Sequence, residues 1–183
     1  MKEFDQLNRI LDKAFLSSSQ DVMIENKGEM QPQIVSIENG GRKNLSYTLY
    51  RFDLDSEEFL NFFNRSDDAP EGLRKFCDYV LLVSICDKTY IMLIELKRGS
   101  IKDAAKQLNA SKVFVEFLCS SAERLCADFD DFPFNRKNIL WRKIKLKKLK
   151  SNKQFTKSGY SVDTTQEFID FESVGTFPIA RFL

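Results

Sequence analysis

The sequence predicts a single α/β (α+β) domain over residues 1–183, with a mixed β-sheet flanked by helices. Two apolar, β-branched runs meet at the polar turn Asp87-Lys88, which is typical of a buried β-hairpin. An alanine-rich helical pattern follows at once, and another alternating stretch begins near residue 138. With 43% hydrophobic residues, a chain of this length can bury a core of its own.

Each further element follows from a periodicity. Residues 2–16 carry apolar side chains at helical spacing and predict a first helix. Residues 33–38 and 44–54 alternate around Gly40-Gly41 and predict a hairpin. Acids at the start of 55–64 favour a short helix. The remaining expectations are a central hairpin of 76–86 with 89–97, a helix over 100–127 that could kink at 109–111, a strand over 138–149, and a tail over 160–183 ending in an edge strand.

The absence of histidine excludes several kinds of catalysis. Ser-His-Asp and Cys-His nucleophiles, HExxH metalloproteases and HNH-type nucleases are ruled out, so any catalysis must use carboxylates, Lys, Arg, Tyr or a metal. The four Cys form no CxxC pair, which indicates reduced core thiols. No apolar run has the length of a membrane span, and the amphipathic N terminus does not resemble a signal peptide. The sequence therefore predicts a cytoplasmic protein with no membrane partner.

Positive charge is concentrated in one stretch. Residues 136–157 contain ten basic and no acidic residues, although the net charge of the chain is only +1. Such a field favours contact with a polyanion, and the part at about 147–159 is expected to form a basic arm. The plainer alternative is a solvated, mobile segment. The cations expected to bind nucleic acid are Arg142, Lys143, Lys145, Lys147, Lys148, Lys150 and Lys153.

Polar residues stand at the ends of the central hairpin. If Asp87-Lys88 is a two-residue loop, Asp78 lies opposite Lys97 and Val80 lies opposite Glu95. Because side chains alternate with period two, Asp78, Glu95 and Lys97 then share one face. The alternative is that Glu95 and Lys97 are merely an edge pair where the strand leaves the core.

Two carboxylates held this close together either share a proton or bind a cation. All-oxygen ligands favour Mg²⁺ or Mn²⁺, and the main-chain carbonyl of Leu96 could supply another oxygen. A metal-activated water can attack phosphorus, and Lys97 could orient that water or neutralise the developing charge. The pattern therefore indicates phosphodiester hydrolysis.

The series Asp78…Glu95-Leu96-Lys97 resembles the D…ExK signature of the PD-(D/E)xK nuclease superfamily. The resemblance implies a restriction-endonuclease-like fold, with metal binding by Asp78 and Glu95 and catalysis by Lys97. Gln107 matches a helix Gln of the RecB-like members. Three positions depart from the pattern or leave it open. Cys77 stands where many members have Pro, Ser111 stands where RecB-like members have Tyr, and the first-helix acid could be Glu3, Glu57 or Glu58.

Three functions are compatible with these features. The first is a Mg²⁺- or Mn²⁺-dependent nuclease that acts on DNA in preference to RNA. The second is a catalytically inactive module of the same fold that binds nucleic acid or protein. The third is a protein-interaction domain whose basic arm docks on an acidic partner. The apolar stripe of the N-terminal helix leaves a homodimer open as well.

Overall fold

Two helices and two β-sheets form the part of the chain that the structure, a computed structural model, describes: residues 3–25, 33–52, 75–96, 101–129, 134–148, 160–163, 168–173 and 175–183. The helices are α1 (Glu3–Ile10) and α2 (Ile101–Phe129). The strands are β1 (Val22–Glu25), β2 (Gln33–Glu38), β3 (Leu45–Arg51), β4 (Tyr79–Ile85), β5 (Lys88–Leu96), β6 (Ile139–Lys148), β7 (Tyr160–Asp163), β8 (Phe168–Ser173) and β9 (Thr176–Pro178).

The central sheet has six strands in the order β3-β4-β5-β6-β8-β7. Strands β3, β4 and β5 follow one another antiparallel. The chain then crosses the sheet through α2, so β6 lies parallel to β5, and β8 lies parallel to β6. Strand β7 closes the edge antiparallel to β8. This topology confirms the predicted mixed α/β sheet with helices packed on it.

Both faces of the central sheet are covered, which explains why β4 and β5 are apolar at consecutive positions. One face packs against α1 and α2, with Leu82, Leu93 and Leu108 among its buried side chains. The other face packs against a three-stranded sheet of order β1-β2-β9, which contributes Met23 and Phe177. The described residues therefore form three layers, and any polar group on the α2 face of β4 or β5 lies inside the protein.

The predicted hairpin of residues 33–38 with 44–54 is wrong, although both strands exist. Strand β2 pairs with β1 and β9 in the small sheet, whereas β3 pairs with β4 in the central sheet. Gly40 and Gly41, with φ of 67° and 70°, lead the chain from one sheet into the other rather than reversing it. Strand β1 was not predicted, because four residues in polar surroundings give too short an alternation.

The predicted helices and the later strands agree better with the structure. Helix α2 confirms the long helix and stays helical through 109–111, where the Ser111 hydroxyl donates to the Gln107 carbonyl. Helix α1 is shorter than predicted, because Asp12 caps a separate 3₁₀ turn at Lys13–Phe15. Strand β6 confirms the strand over 138–149, and β9 is the expected edge strand in the tail. The predicted helix over 55–64 lies outside the described residues.

No helix within the described ranges has both the length and the apolar character needed to cross a membrane.

Tyr79 connects the two sheets. Its ring is buried between them, and its hydroxyl accepts a hydrogen bond from the Ile24 N–H at 2.8 Å and donates one to the Ile24 carbonyl at 3.0 Å. We expect Tyr79→Phe to lower the free energy of unfolding by about 1–3 kcal/mol, because two main-chain groups lose a buried partner. Urea denaturation monitored by circular dichroism measures this loss.

The matched control is Tyr47→Phe on the adjacent strand β3. The Tyr47 hydroxyl donates to Asp21 near the surface, where water can replace it. We expect a loss below about 0.5 kcal/mol for this variant, the low end for a single hydrogen bond. Equal losses for the two variants would show that the Tyr79 hydroxyl does not hold the sheets together.

Candidate active site

The turn of the central hairpin lies one residue earlier than predicted. Ile85 pairs with Lys88, so the two-residue turn is Cys86-Asp87 and not Asp87-Lys88. Cys86 adopts a positive φ of 53°, which a tight turn of this kind requires. Strand pairing is therefore shifted by two positions from the predicted register.

This shift brings the two acids closer along the ladder than predicted. Tyr79 pairs with Ile94, and continuing the ladder by one residue places Asp78 opposite Glu95. The predicted pairing of Val80 with Glu95 is wrong, and so is the predicted partner of Asp78. Because the shift is an even number of residues, the predicted common face of Asp78 and Glu95 is retained.

Both carboxylates are buried on the α2 face of the sheet. Asp78 is 5% exposed and Glu95 is 2% exposed. Asp78 Oδ2 accepts a hydrogen bond from the Leu96 N–H at 2.6 Å, and the Asp78 carbonyl accepts one from the Phe52 N–H at 2.9 Å. Asp78 is thus tied to β5 on one side and to the end of β3 on the other, which fixes its carboxylate beside Glu95.

The negative charges of Glu95 and Asp78 act on the buried Cys77 thiol. Its pKa is raised well above the usual range, first by complete burial and then by the negative charges of Glu95 and Asp78, while its contact with Ser111 partly opposes the shift. The thiol itself stays protonated and donates to the Tyr79 carbonyl at 3.3 Å, so it serves as a core group and not as a nucleophile.

Helix α2 holds the segment that leads into Asp78. The Ser111 hydroxyl accepts a hydrogen bond from the Cys77 N–H at 2.7 Å, and Gln107 Nε2 donates to the Phe76 carbonyl at 3.3 Å. Gln107, a predicted site residue, is therefore brought to the site and positions it through the main chain. Ser111 does the same, although the sequence marked it only as a departure from the RecB-like pattern.

A row of charged side chains continues from Glu95 across the sheet. Lys145 on β6 is the register partner of Glu95, and Asp170 on β8 is the register partner of Lys145. The Lys145 Nζ lies 3.2 Å from Asp170 Oδ2, and Lys145 is only 4% exposed. Within the described residues, Asp170 Oδ1 is buried and has no hydrogen-bond partner. The acid pair is therefore part of a four-residue cluster, Asp78–Glu95–Lys145–Asp170, which we term the charge row.

The structure separates the cations that were predicted to form one nucleic-acid surface. Lys145 belongs to the charge row, so its assignment as a surface cation is corrected. Arg142 points to the opposite face, where Nε donates to the Phe182 carbonyl at 2.9 Å and the guanidinium lies 5.5 Å from the Tyr90 ring centroid. Lys143 lies on the α2 face, where Nζ donates to Asn109 Oδ1 at 2.9 Å. The cause is strand alternation, since β6 sends successive side chains to opposite faces.

Glu3 is not brought to the acid pair. Its Oε1 accepts a hydrogen bond from Asn138 Nδ2 at 2.8 Å, directly before β6 begins. At this end of the sheet Thr89 pairs with Ile139. Thr89 lies six residues before Glu95 along β5. At about 3.3 Å per residue, Glu3 is roughly 20 Å from the charge row. The prediction of Glu3 as the first-helix acid of the site is therefore wrong.

Several predicted site residues lie outside the described part of the chain. These are Lys97, the arm residues Lys150 and Lys153, and the alternative acids Glu57 and Glu58. Lys147 and Lys148 belong to β6, and only their main chain is described. Leu96 contributes its N–H to Asp78, while the metal-ligand role of its carbonyl remains a prediction.

The donor chemistry of the charge row fits a hard divalent cation. Asp78 and Glu95 are buried acids, whereas the Asp170 side chain is 25% exposed and pairs with Lys145, so the buried negative charge lies mainly on the acid pair. Burying such a charge is costly unless a cation compensates it. In the described residues, however, no group of three or more acidic or Cys side chains is close enough to hold one ion. A metal here would need a further ligand, such as water or a substrate phosphate.

The chain matches no family model, and searches of curated proteins and of solved structures found no match. Function is therefore argued from the charge row and its surroundings.

Ser111→Ala tests whether α2 holds the strand that presents Asp78. We expect it to lower the free energy of unfolding by about 1–3 kcal/mol, because the buried Cys77 N–H loses its acceptor. Chemical denaturation measures the change.

Ser121→Ala is the control, since Ser121 makes the same bond to a carbonyl four residues back but accepts no tertiary N–H in the described structure. We expect it to change stability by less than about 0.5 kcal/mol. A Ser111→Ala protein as stable as the Ser121→Ala protein would remove this positioning role.

Proposed function

We propose that the protein is a metal-dependent nuclease of the PD-(D/E)xK type, which hydrolyses phosphodiester bonds of DNA in preference to RNA. The observation that carries this proposal is the burial of Asp78, directly before β4, and of Glu95 on β5, which lie opposite each other when the ladder is continued by one residue on the α2 face of the sheet. Two adjacent buried carboxylates repel each other when both are charged, which favours a ligand that neutralises them.

The order of elements around the acids supports a restriction-endonuclease-like fold. In the superfamily, the Asp and the ExK lie on adjacent strands of a mixed sheet, and a helix follows the ExK strand. Here β4 and β5 are adjacent, α2 follows β5, and β6 returns parallel to β5. The described hydrogen bonds of Gln107 and Ser111 join this helix to the Asp78 segment.

In this proposal each residue has a distinct role. Asp78 and Glu95 hold Mg²⁺ or Mn²⁺, with the Leu96 carbonyl as a further oxygen. Lewis-acid chemistry for the phosphodiester comes from the bound ion. Lys97 neutralises charge at the reacting phosphate, and Gln107 positions Asp78 through the Phe76 carbonyl. The cations of 136–157 that are not engaged inside the protein attract the nucleic-acid backbone.

A second candidate function is favoured by the depth of the site. The acids are only 2% and 5% exposed, Lys145 places a buried positive charge on the strand next to Glu95, and no described group supplies three metal ligands. These features suit a catalytically inactive module of the same fold that binds nucleic acid through its basic stretch. Such a module would bind DNA in EDTA, with an affinity that falls steeply as salt rises, and would cleave nothing.

Cleavage assays separate the two functions. The full chain is incubated with supercoiled plasmid or labelled single-stranded DNA, in Mg²⁺, in Mn²⁺ or in EDTA. We expect cleavage with either metal only, and a loss of about 100-fold or more in rate for Asp78→Asn and Glu95→Gln, because each removes a charged ligand. Asp78→Asn keeps an oxygen that can accept the Leu96 N–H, so its fold should be preserved.

Glu116→Gln is the matched control, because Glu116 is an acid on α2 whose described partner is the partly exposed Lys112, 3.5 Å away. Its cleavage rate should equal that of the wild type. Cleavage that persists unchanged in Glu95→Gln would refute the assigned site. Salt-sensitive DNA binding without cleavage in any metal would favour the inactive module.

A further inference from the structure

We propose that Lys145 is the built-in cation of the acid site: it sets how strongly the site binds a divalent metal, and it supplies positive charge at the reacting phosphate alongside Lys97. This inference rests on the nuclease function proposed above, and it assigns a role to a residue that the D…ExK signature does not contain.

Lys145 lies on the strand next to Glu95. Lys145 is the register partner of Glu95 on a parallel strand, so their main chains are about 4.8 Å apart. Both residues lie on the α2 face of the sheet, because Ile144 and Leu146 on either side of Lys145 pack into the opposite core. A buried ammonium group at this place acts on the carboxylate pair through protein rather than through water, which strengthens the interaction.

Asp170 orients the Lys145 side chain. Asp170 Oδ2 holds the Lys145 Nζ at 3.2 Å, and this ion pair fixes a long, flexible side chain. Asp170 Oδ1 is buried and makes no hydrogen bond within the described residues. Asp170 therefore acts as a positioning residue for Lys145. An ammonium held by Asp170, on the strand next to Glu95, is preorganised to stabilise added negative charge.

Substitutions of Lys145 and Asp170 should change the metal affinity of the acid pair in opposite directions. Removing the positive charge of Lys145 should increase the attraction of the acid pair for a divalent cation, whereas removing the negative charge of Asp170 should decrease it. General damage to the fold would weaken cation binding in both variants. Opposite effects on metal affinity therefore distinguish an electrostatic role from a structural one.

The experiment measures Mn²⁺ affinity of the full chain by isothermal titration calorimetry for the wild type, Lys145→Met, Lys145→Arg and Asp170→Asn. We expect Lys145→Met to bind Mn²⁺ about tenfold more tightly and Asp170→Asn to bind it about tenfold more weakly. Lys145→Arg keeps the charge and should stay close to the wild type. Lys112→Met removes an equal charge from the partly exposed face of α2 and should leave the affinity unchanged.

Single-turnover cleavage at saturating DNA tests the catalytic part. We expect Lys145→Met to lose about 100-fold in rate with unchanged DNA affinity, and Lys145→Arg to recover most of that loss. If the wild type cleaves no DNA, the proposed nuclease function fails, and the opposite shifts in Mn²⁺ affinity still decide the role of Lys145 as the cation of the site. Parallel losses of Mn²⁺ affinity in Lys145→Met and Asp170→Asn, or unchanged affinity in both, would overturn the proposal. If the wild type does cleave DNA, wild-type cleavage by Lys145→Met would overturn its catalytic part.

Discussion

The hydrogen bond from the Leu96 N–H to Asp78 Oδ2 fixes the geometry on which the rest of the site depends. It joins the residue that enters β4 to the last residue of β5, at the point where the antiparallel ladder ends. With it, the carboxylate is held beside Glu95 under α2, and Gln107 and Ser111 secure the preceding main chain from the helix side.

Holding two carboxylates there has an energetic consequence that spreads across the sheet. Buried charge needs compensation, and Lys145, itself paired with Asp170, is a buried cation on the strand next to Glu95. Breaking a buried pair by removing one partner typically costs about 3–5 kcal/mol. The charge row therefore links β4, β5, β6 and β8 electrostatically as well as through main-chain hydrogen bonds.

The sequence predicted the parts of this arrangement that depend on periodicity. The apolar runs, the long helix and the common face of Asp78 and Glu95 all follow from local pattern. The common face is kept although the turn was predicted wrongly, because the register shifted by two. Contacts set by distant pairing were not predictable. The association of β2 with β1 and β9 depends on the small sheet, which local alternation does not encode.

The burial of Lys145 was not predicted from the sequence. Its place within a basic run predicts an exposed cation, because the density of charge along the chain does not distinguish the two faces of a strand. A signal was present, since Ile144 and Leu146 mark one face of β6 as apolar and put Lys145 on the other. A strand that follows a βα crossover is expected to lie parallel to the first strand. The register that sets Lys145 beside Glu95, however, depends on the length and packing of α2, which no local pattern gives.

The charge row also clarifies what separates an enzyme from an inactive module on this fold. In both, the charge of the buried Asp78 and Glu95 needs compensation, and the ammonium group of Lys145 is already paired with the partly exposed Asp170. Here Asp78, Glu95 and Asp170 are all present, and one carboxylate oxygen of Asp170 is buried without a hydrogen-bond partner in the described structure. A divalent cation held by Asp78 and Glu95 would supply this compensation in the proposed metal-dependent nuclease.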